Sequence, residues 1–238
     1  IAPEQADRVL NAVLDGGINY IDTSIDYGQS EGFIGRFISH RRSEYYLATK
    51  CGCLVGDTPS APGQRFPHSF TRENIVAGVN QSLARMKTDY IDVVQFHAGP
   101  SRGTLEGNDS IATLLDLKKQ GKLRFIGMSS TLPNLLEHIK MGVFDIFQIP
   151  YSPLERNHEE AITHAAQAGA GTVIRGGVAK GAPSEEKQEG NPWELWQCSS
   201  LDDLLDDMTR MEFILRFTLT HPGLSTTIVG TMNTDHLR

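Results

Sequence analysis

Ile18-Asn19-Tyr20-Ile21-Asp22-Thr23-Ser24-Ile25-Asp26-Tyr27-Gly28 decides how the rest of the chain is read. An apolar strand core ends in a carboxylate, and five residues later a tyrosine stands beside a glycine. A charge and a phenol therefore leave one strand end together. Taken alone, the pair has an ordinary explanation, with Asp22 capping the next helix and Tyr27 forming a half-buried wall.

Before this stretch, Pro3 and Glu4 suit a helical first turn, Val9, Leu10, Val13 and Leu14 recur at helical spacing, and Gly16-Gly17 closes the helix. After it, Phe33, Ile34, Phe37 and Ile38 predict a helix over 31–40, followed by a strand over 45–49 that ends at Lys50. A Gly/Pro/Ser-rich loop over 51–69 is long enough to form part of a site rim. Thr71 is placed to cap a helix carrying Ile75, Val79, Leu83 and Met86, and the strand 90–96 ends at His97. The alternation continues with helix 111–120, strand 123–128 ending in Ser129-Ser130, helix 134–141, strand 144–149, helix 159–168 and strand 171–174. A polar insertion over 183–200 precedes helix 202–219 and strand 226–229, which ends at Gly230-Thr231. Within the insertion, Trp193 and Trp196 are expected to anchor a short amphipathic helix, the alternative being a cover over a cofactor.

Seven strands alternating with helices predict a parallel sheet, and most economically a (β/α)8 TIM barrel. Because the chain opens on a helix, the first strand is expected to lie outside this sequence, and the barrel domain over residues 1–238 to be truncated at both ends. A doubly wound open sheet is the other architecture, but no G-x-G-x-x-G follows any strand.

With 39% hydrophobic and 21% charged residues in 238, the composition is that of a globular protein. The formal charge of -7 offers no basic surface for nucleic acid, and no apolar run reaches the roughly 18 residues of a membrane helix. Three cysteines, with Cys51 and Cys53 spaced as C-x-C and no His/Cys cluster nearby in sequence, indicate neither a disulfide framework nor a metal site. A cytoplasmic location is the corresponding expectation.

In a barrel the strand C-termini share the face where chemistry is done. Asp22 with Tyr27, Lys50 and His97 would meet there. A phenol with an ordinary pKa near 10 is a weak acid, and an adjacent ammonium is expected to lower that value. Lys50 can supply the ammonium, Asp22 can keep it charged, and His97 can donate to a carbonyl oxygen. Such parts polarise a C=O and protonate the resulting alkoxide, while the hydride must come from a cofactor.

These contexts, I-D-T-S-I-D-Y-G-Q-S-E, L-A-T-K-C and D-Y-I-D-V-V-Q-F-H, resemble the aldo-keto reductases over nearly the whole chain. The resemblance implies a (β/α)8 barrel that reduces an aldehyde or ketone with NADPH, NADH being the alternative. It also implies that Tyr27 is the general acid, tuned by Lys50 and Asp22, with His97 orienting the substrate. Ser129, Ser130 and Gln148 match the segments that hold the nicotinamide carboxamide, with Ser130 where an Asn is usual. Arg175, Gly176, Gly177 and Lys180 match the segment around the nicotinamide and pyrophosphate, with Arg175 where an aromatic is common. Gly230, Thr231 and Asn233 match the grip on the adenosine 2′-phosphate, where Gly230 replaces a lysine and Arg238 can add charge. The competing readings are a cofactor-binding regulatory protein like the potassium channel β subunits, and a barrel lyase or aldolase using Lys50 as a Schiff-base nucleophile.

Overall fold

The periods read from the sequence recur in the computed structural model, which describes all residues except 56–66, 182, 185–186, 189 and 238. Two compact units emerge, one formed by residues 1–130, 143–146 and 231–238, the other by residues 131–142 and 147–230.

The first unit opens with α1 (Pro3–Asp15), with proline at its start as expected. Its closure through Gly17, with the Ile18 amide donating to Val13 O at 3.1 Å, delays the first strand, so β1 is Tyr20–Asp22 rather than beginning at Ile18. α2 (Ser30–Phe37), β2 (Tyr46–Cys51), α3 (Arg72–Met86), β3 (Ile91–Phe96), α4 (Arg102–Gly107), α5 (Ser110–Lys119) and β4 (Leu123–Ser129) follow. Thr71 caps α3 by accepting the Asn74 amide. The four strands pair in parallel in chain order, with Asp22 level with Ala48 and Lys50 level with Gln95. That register sets the ends of β1, β2 and β3 side by side, and the His97 amide extends the ladder onto Cys51 O at 3.0 Å.

Leu47, Ile91, Val93, Phe96, Ile126 and Met128 of these strands are buried with Ile75, Val79 and Met86 of α3. At the opposite end of β3, buried Asp92 accepts from Arg42 at 2.5 Å, Arg124 at 2.9 Å and the Leu47 amide at 2.9 Å, tying three segments at one carboxylate.

The second unit holds α6 (Asn134–Met141), most of β5 (Ile146–Pro150), α7 (Glu159–Gln167), β6 (Gly171–Arg175), α8 (Gly190–Cys198), α9 (Arg210–Leu219) and β7 (Thr226–Thr227). β6 and β7 pair in parallel. The helix expected over 202–219 is shorter, because 202–209 carries four aspartates, which are poor helix formers. Asp206 takes a positive φ, and Asp202 instead accepts from Trp196 Nε1 at 3.0 Å and Arg210 Nε at 2.8 Å. Trp196 is buried with Ala179 and Ile214, while Trp193 packs on that cluster, so the insertion is an anchored helix, as its packing reading required.

Among the described residues no helix is long and apolar enough to cross a membrane. A close approach of α2 to α3 depends on Gly35, whose added Cβ would lie 2.0 Å from Arg85 O. Backbone cannot yield as a side chain does, so Gly35→Ala should destabilise the protein by about 2 kcal/mol or more, read as a lowered midpoint in urea unfolding. An unchanged midpoint would contradict this packing.

Candidate active site

Lys50 lies on β2, level with β3's Gln95, and is only 1% exposed. A buried ammonium needs partners. Its Nζ donates to Asp22 Oδ2 at 2.7 Å and to the Thr23 carbonyl at 2.9 Å. Asp22 in turn accepts from Gln95 Nε2 at 3.1 Å. Gln95 stands two residues before His97 on β3, a spacing that places both on one strand face. The facing strand makes room for it, since a Cβ on Gly127 would come within 2.7 Å of Gln95 Cγ.

After β1 the chain turns, with the Tyr27 amide donating to Ser24 O and Ser30 N to Tyr27 O, each at 3.1 Å. Tyr27 is 47% exposed, and its ring centroid lies 4.8 Å from Lys50 Nζ and 6.2 Å from that of His97, edge to face. The four residues read from the sequence therefore meet in the first unit, as a buried cation beneath a half-exposed phenol.

The electrostatics differ from the sequence expectation. Partial burial pushes the Tyr27 phenol above its ordinary value, and although Lys50 pulls it down, Asp22 and Asp26 push the other way, leaving the net direction upward. Desolvation, which sequence proximity does not reveal, outweighs the ammonium.

The fold adds residues that the spacing concealed. His97 Nδ1 is 3.2 Å from Cys53 Sγ and 3.5 Å from Asp26 Oδ2, and His68 packs edge to face on His97 with centroids 5.2 Å apart. His68 reaches Cys53 because the two ends of the 51–69 loop are zipped, Ser69 N donating to Gly52 O at 2.7 Å. The middle of that expected rim lies outside the described residues. Burial pushes the Cys53 thiol up to about 12. The signal available in the sequence was the C-x-C run directly after the strand-end lysine.

Ser129 and Ser130 are buried at the end of β4 in the first unit, and Thr231 and Asn233 belong to the same unit. The Thr231 hydroxyl is engaged within its own turn, donating to Asn233 O at 3.1 Å and accepting from Asn233 N at 3.0 Å, with His236 Nδ1 3.1 Å away. In the second unit Gln148 is buried on β5, Arg175 half-buried at the end of β6, and Gly176 and Lys180 exposed. Gly177 is buried, and Gly230 is exposed with open space about it. Arg238 lies outside the described residues.

Comparison with known proteins gives the family. The protein is 31% identical to Uncharacterized oxidoreductase YqkF of Bacillus subtilis, over 98% of this chain and 80% of that one. It is 33% identical over 156 residues, 61% of this chain and 48% of the other, to an NADH-specific methylglyoxal reductase of Escherichia coli. Among solved structures, the holo form of the aldo-keto reductase AKR11C1 from Bacillus halodurans superposes with a TM-score of 0.86 at 31% identity, over 99% of this chain and 80% of that one. Residues 1–238 match the model of the aldo/keto reductase family. Its fold, with parallel strands following one another through helices, is thus the (β/α)8 barrel type of these oxidoreductases, and the chain belongs to the aldo/keto reductase family.

Proposed function

We propose that the protein reduces an aldehyde or ketone to an alcohol, with Tyr27 as general acid, Lys50 and Asp22 holding the positive charge beneath it, and His97 orienting the carbonyl. The observation that carries this reading is the buried Lys50 ammonium, 2.7 Å from Asp22 and 4.8 Å from the Tyr27 ring. The same ion pair disfavours a Schiff-base role, because a carboxylate partner holds the amine protonated when nucleophilic attack needs it neutral.

The family uses nicotinamide cofactors, and the residues present fit one. After β6 the chain turns through positive φ at Gly176, Ala179, Lys180 and Gly181, two of them non-glycine, and such strain gathers at ligand clamps. Small residues with Arg175 and Lys180 give that turn the close backbone approach and charge a pyrophosphate requires. Ser129 and Ser130 in the first unit, and separately Gln148 in the second, carry hydroxyl and amide groups of the kinds a carboxamide pairs with. When bound, the cofactor supplies the hydride.

The chain's own residues handle the proton. At neutral pH the raised phenol stays protonated, so the acid form is the resting form. As negative charge develops on the carbonyl oxygen, the Tyr27 O–H bond breaks and its proton forms the alcohol O–H. The phenolate left behind faces Lys50, and half-exposed Tyr27 regains its proton from solvent. His97 donates to the same oxygen from Nε2, provided Nδ1 accepts a hydrogen bond. The Cys53 thiol, 3.2 Å from Nδ1, can donate it, against the Asp26 carboxylate at 3.5 Å, which favours a proton on Nδ1.

NADPH is the proposed cofactor, with weak preference over NADH. The Asn233 side-chain amide offers a donor to a 2′-phosphate, Thr231 does so only by releasing the Asn233 carbonyl, and Gly230 offers no cation.

Consumption of NADPH with a panel of aromatic aldehydes tests the activity. Tyr27→Phe should lose most turnover, at least about a hundredfold, the usual scale of a positioned acid, while keeping its cofactor affinity; normal turnover in that variant would refute the assignment. The rate of reduction should stay flat through neutral pH and decline only above about 10, the ordinary phenol value, since the acid must be protonated and its value is raised. A descending limb near neutrality would contradict this. Gly230→Lys, for which there is space, should raise the NADPH over NADH ratio of kcat/KM by about tenfold, the scale of one charge-assisted hydrogen bond. An unchanged ratio would place the 2′-phosphate elsewhere.

A further inference from the structure

We infer that Asp26, Cys53, His68 and His97 form a zinc-binding site beside Tyr27. Their ligand atoms all lie within 4.8 Å of one another. Zinc bonds of roughly 2.0 Å to N or O and 2.3 Å to S set tetrahedral ligand–ligand edges of about 3.3 to 3.6 Å. Observed edges are 3.2 Å from Cys53 Sγ to His97 Nδ1, 3.8 Å from Cys53 Sγ to His68 Nε2 and 3.5 Å from His97 Nδ1 to Asp26 Oδ2. These three edges lie within about 0.2 Å of that range, and the remaining ones, none above 4.8 Å, close by rotation of the half-buried Asp26 and His68 side chains.

The donor set also selects the ion. One thiolate, two imidazoles and one carboxylate suit a borderline-soft cation, whereas magnesium and calcium prefer all-oxygen sites. A thiolate and a carboxylate neutralise the two positive charges of zinc. Binding replaces the Cys53 S–H bond with a zinc–sulfur bond and releases the proton to solvent. An outer contact supports the geometry, since Ser24 donates to Asp26 Oδ1 and so leaves Oδ2 turned to His97.

All four ligands belong to the first unit, on segments that the fold, rather than the sequence, brings together. Asp26 comes from the turn after β1, Cys53 and His68 from the zipped loop ends, and His97 from the end of β3. The zinc site stands independently of the reductase reading, but its consequence for catalysis rests on that reading. Metal on Nδ1 holds the proton of His97 on Nε2, the tautomer that donates to a carbonyl.

Chelator-treated full-length protein titrated with Co²⁺ tests the site. Expected are intense tetrahedral d–d bands and a thiolate-to-cobalt charge-transfer band, both removed by one equivalent of Zn²⁺ and untouched by excess Mg²⁺. Cys53→Ser should lose the charge-transfer band. His68→Gln should weaken Zn²⁺ binding by more than the roughly tenfold that even an outer-shell partner commands. An unchanged aqueous-type Co²⁺ spectrum in the wild-type protein would overturn the inference without reference to any variant. So would a charge-transfer band that survives in Cys53→Ser. Protein that gains the wild-type bands yet consumes no NADPH would confirm the zinc site while removing the reductase reading.

Discussion

A buried ammonium cannot be left unpaired, and the first unit is arranged around satisfying the one on Lys50. Asp22 and the Thr23 carbonyl take its protons, and Gln95 holds the other oxygen of Asp22. The partners come from three adjacent strand ends, so the parallel register of β1, β2 and β3 is itself a condition of the pairing. Removing one member of such a buried pair costs about 3 to 5 kcal/mol, because the other is stranded. This cost makes the pair poor evidence of added stability and good evidence of function. A hydrophobic residue at position 50 would fill the same space without demanding partners.

Above that pair the half-exposed Tyr27 ring is the point where the protein meets solvent. Two opposing effects act on it, desolvation raising the phenol and Lys50 lowering it. The balance leaves the phenol above its ordinary value, so it holds its proton at neutral pH. At the neighbouring imidazole, Cys53 and Asp26 both reach His97 Nδ1, a thiol that can donate and a carboxylate that accepts, and so favour opposite tautomers.

The alternation of helix and strand was legible because each period repeats in the order of apolar residues, and helix 134–141 matches its expected bounds. Where the reading failed, local chemistry overrode periodicity. The helix expected from Asp202 starts only at Arg210, because Asp202 is recruited by Trp196 and Arg210 and Thr209 provides the cap. Asp22, Tyr27, Lys50 and His97 were legible because each follows or ends a strand, and parallel strands deliver their ends to one face. Gln95, Asp26 and His68 were not, since their roles depend on contacts across the sheet and the loop. The direction of the Tyr27 shift was hidden for a related reason, because desolvation depends on the whole surrounding fold.

Lys50 lowers the Tyr27 phenol electrostatically, against the burial that raises it. The most direct measurement is the titration of the Tyr27 ring by NMR on protein carrying ¹³C-labelled tyrosine, with Tyr27→Phe identifying the resonance. It should be compared between the wild-type protein and Asp22→Asn/Lys50→Met, which leaves no charge stranded. Because Lys50 lowers the phenol more than Asp22 raises it, a higher Tyr27 pKa is expected in the double variant. An unchanged or lower value would contradict it.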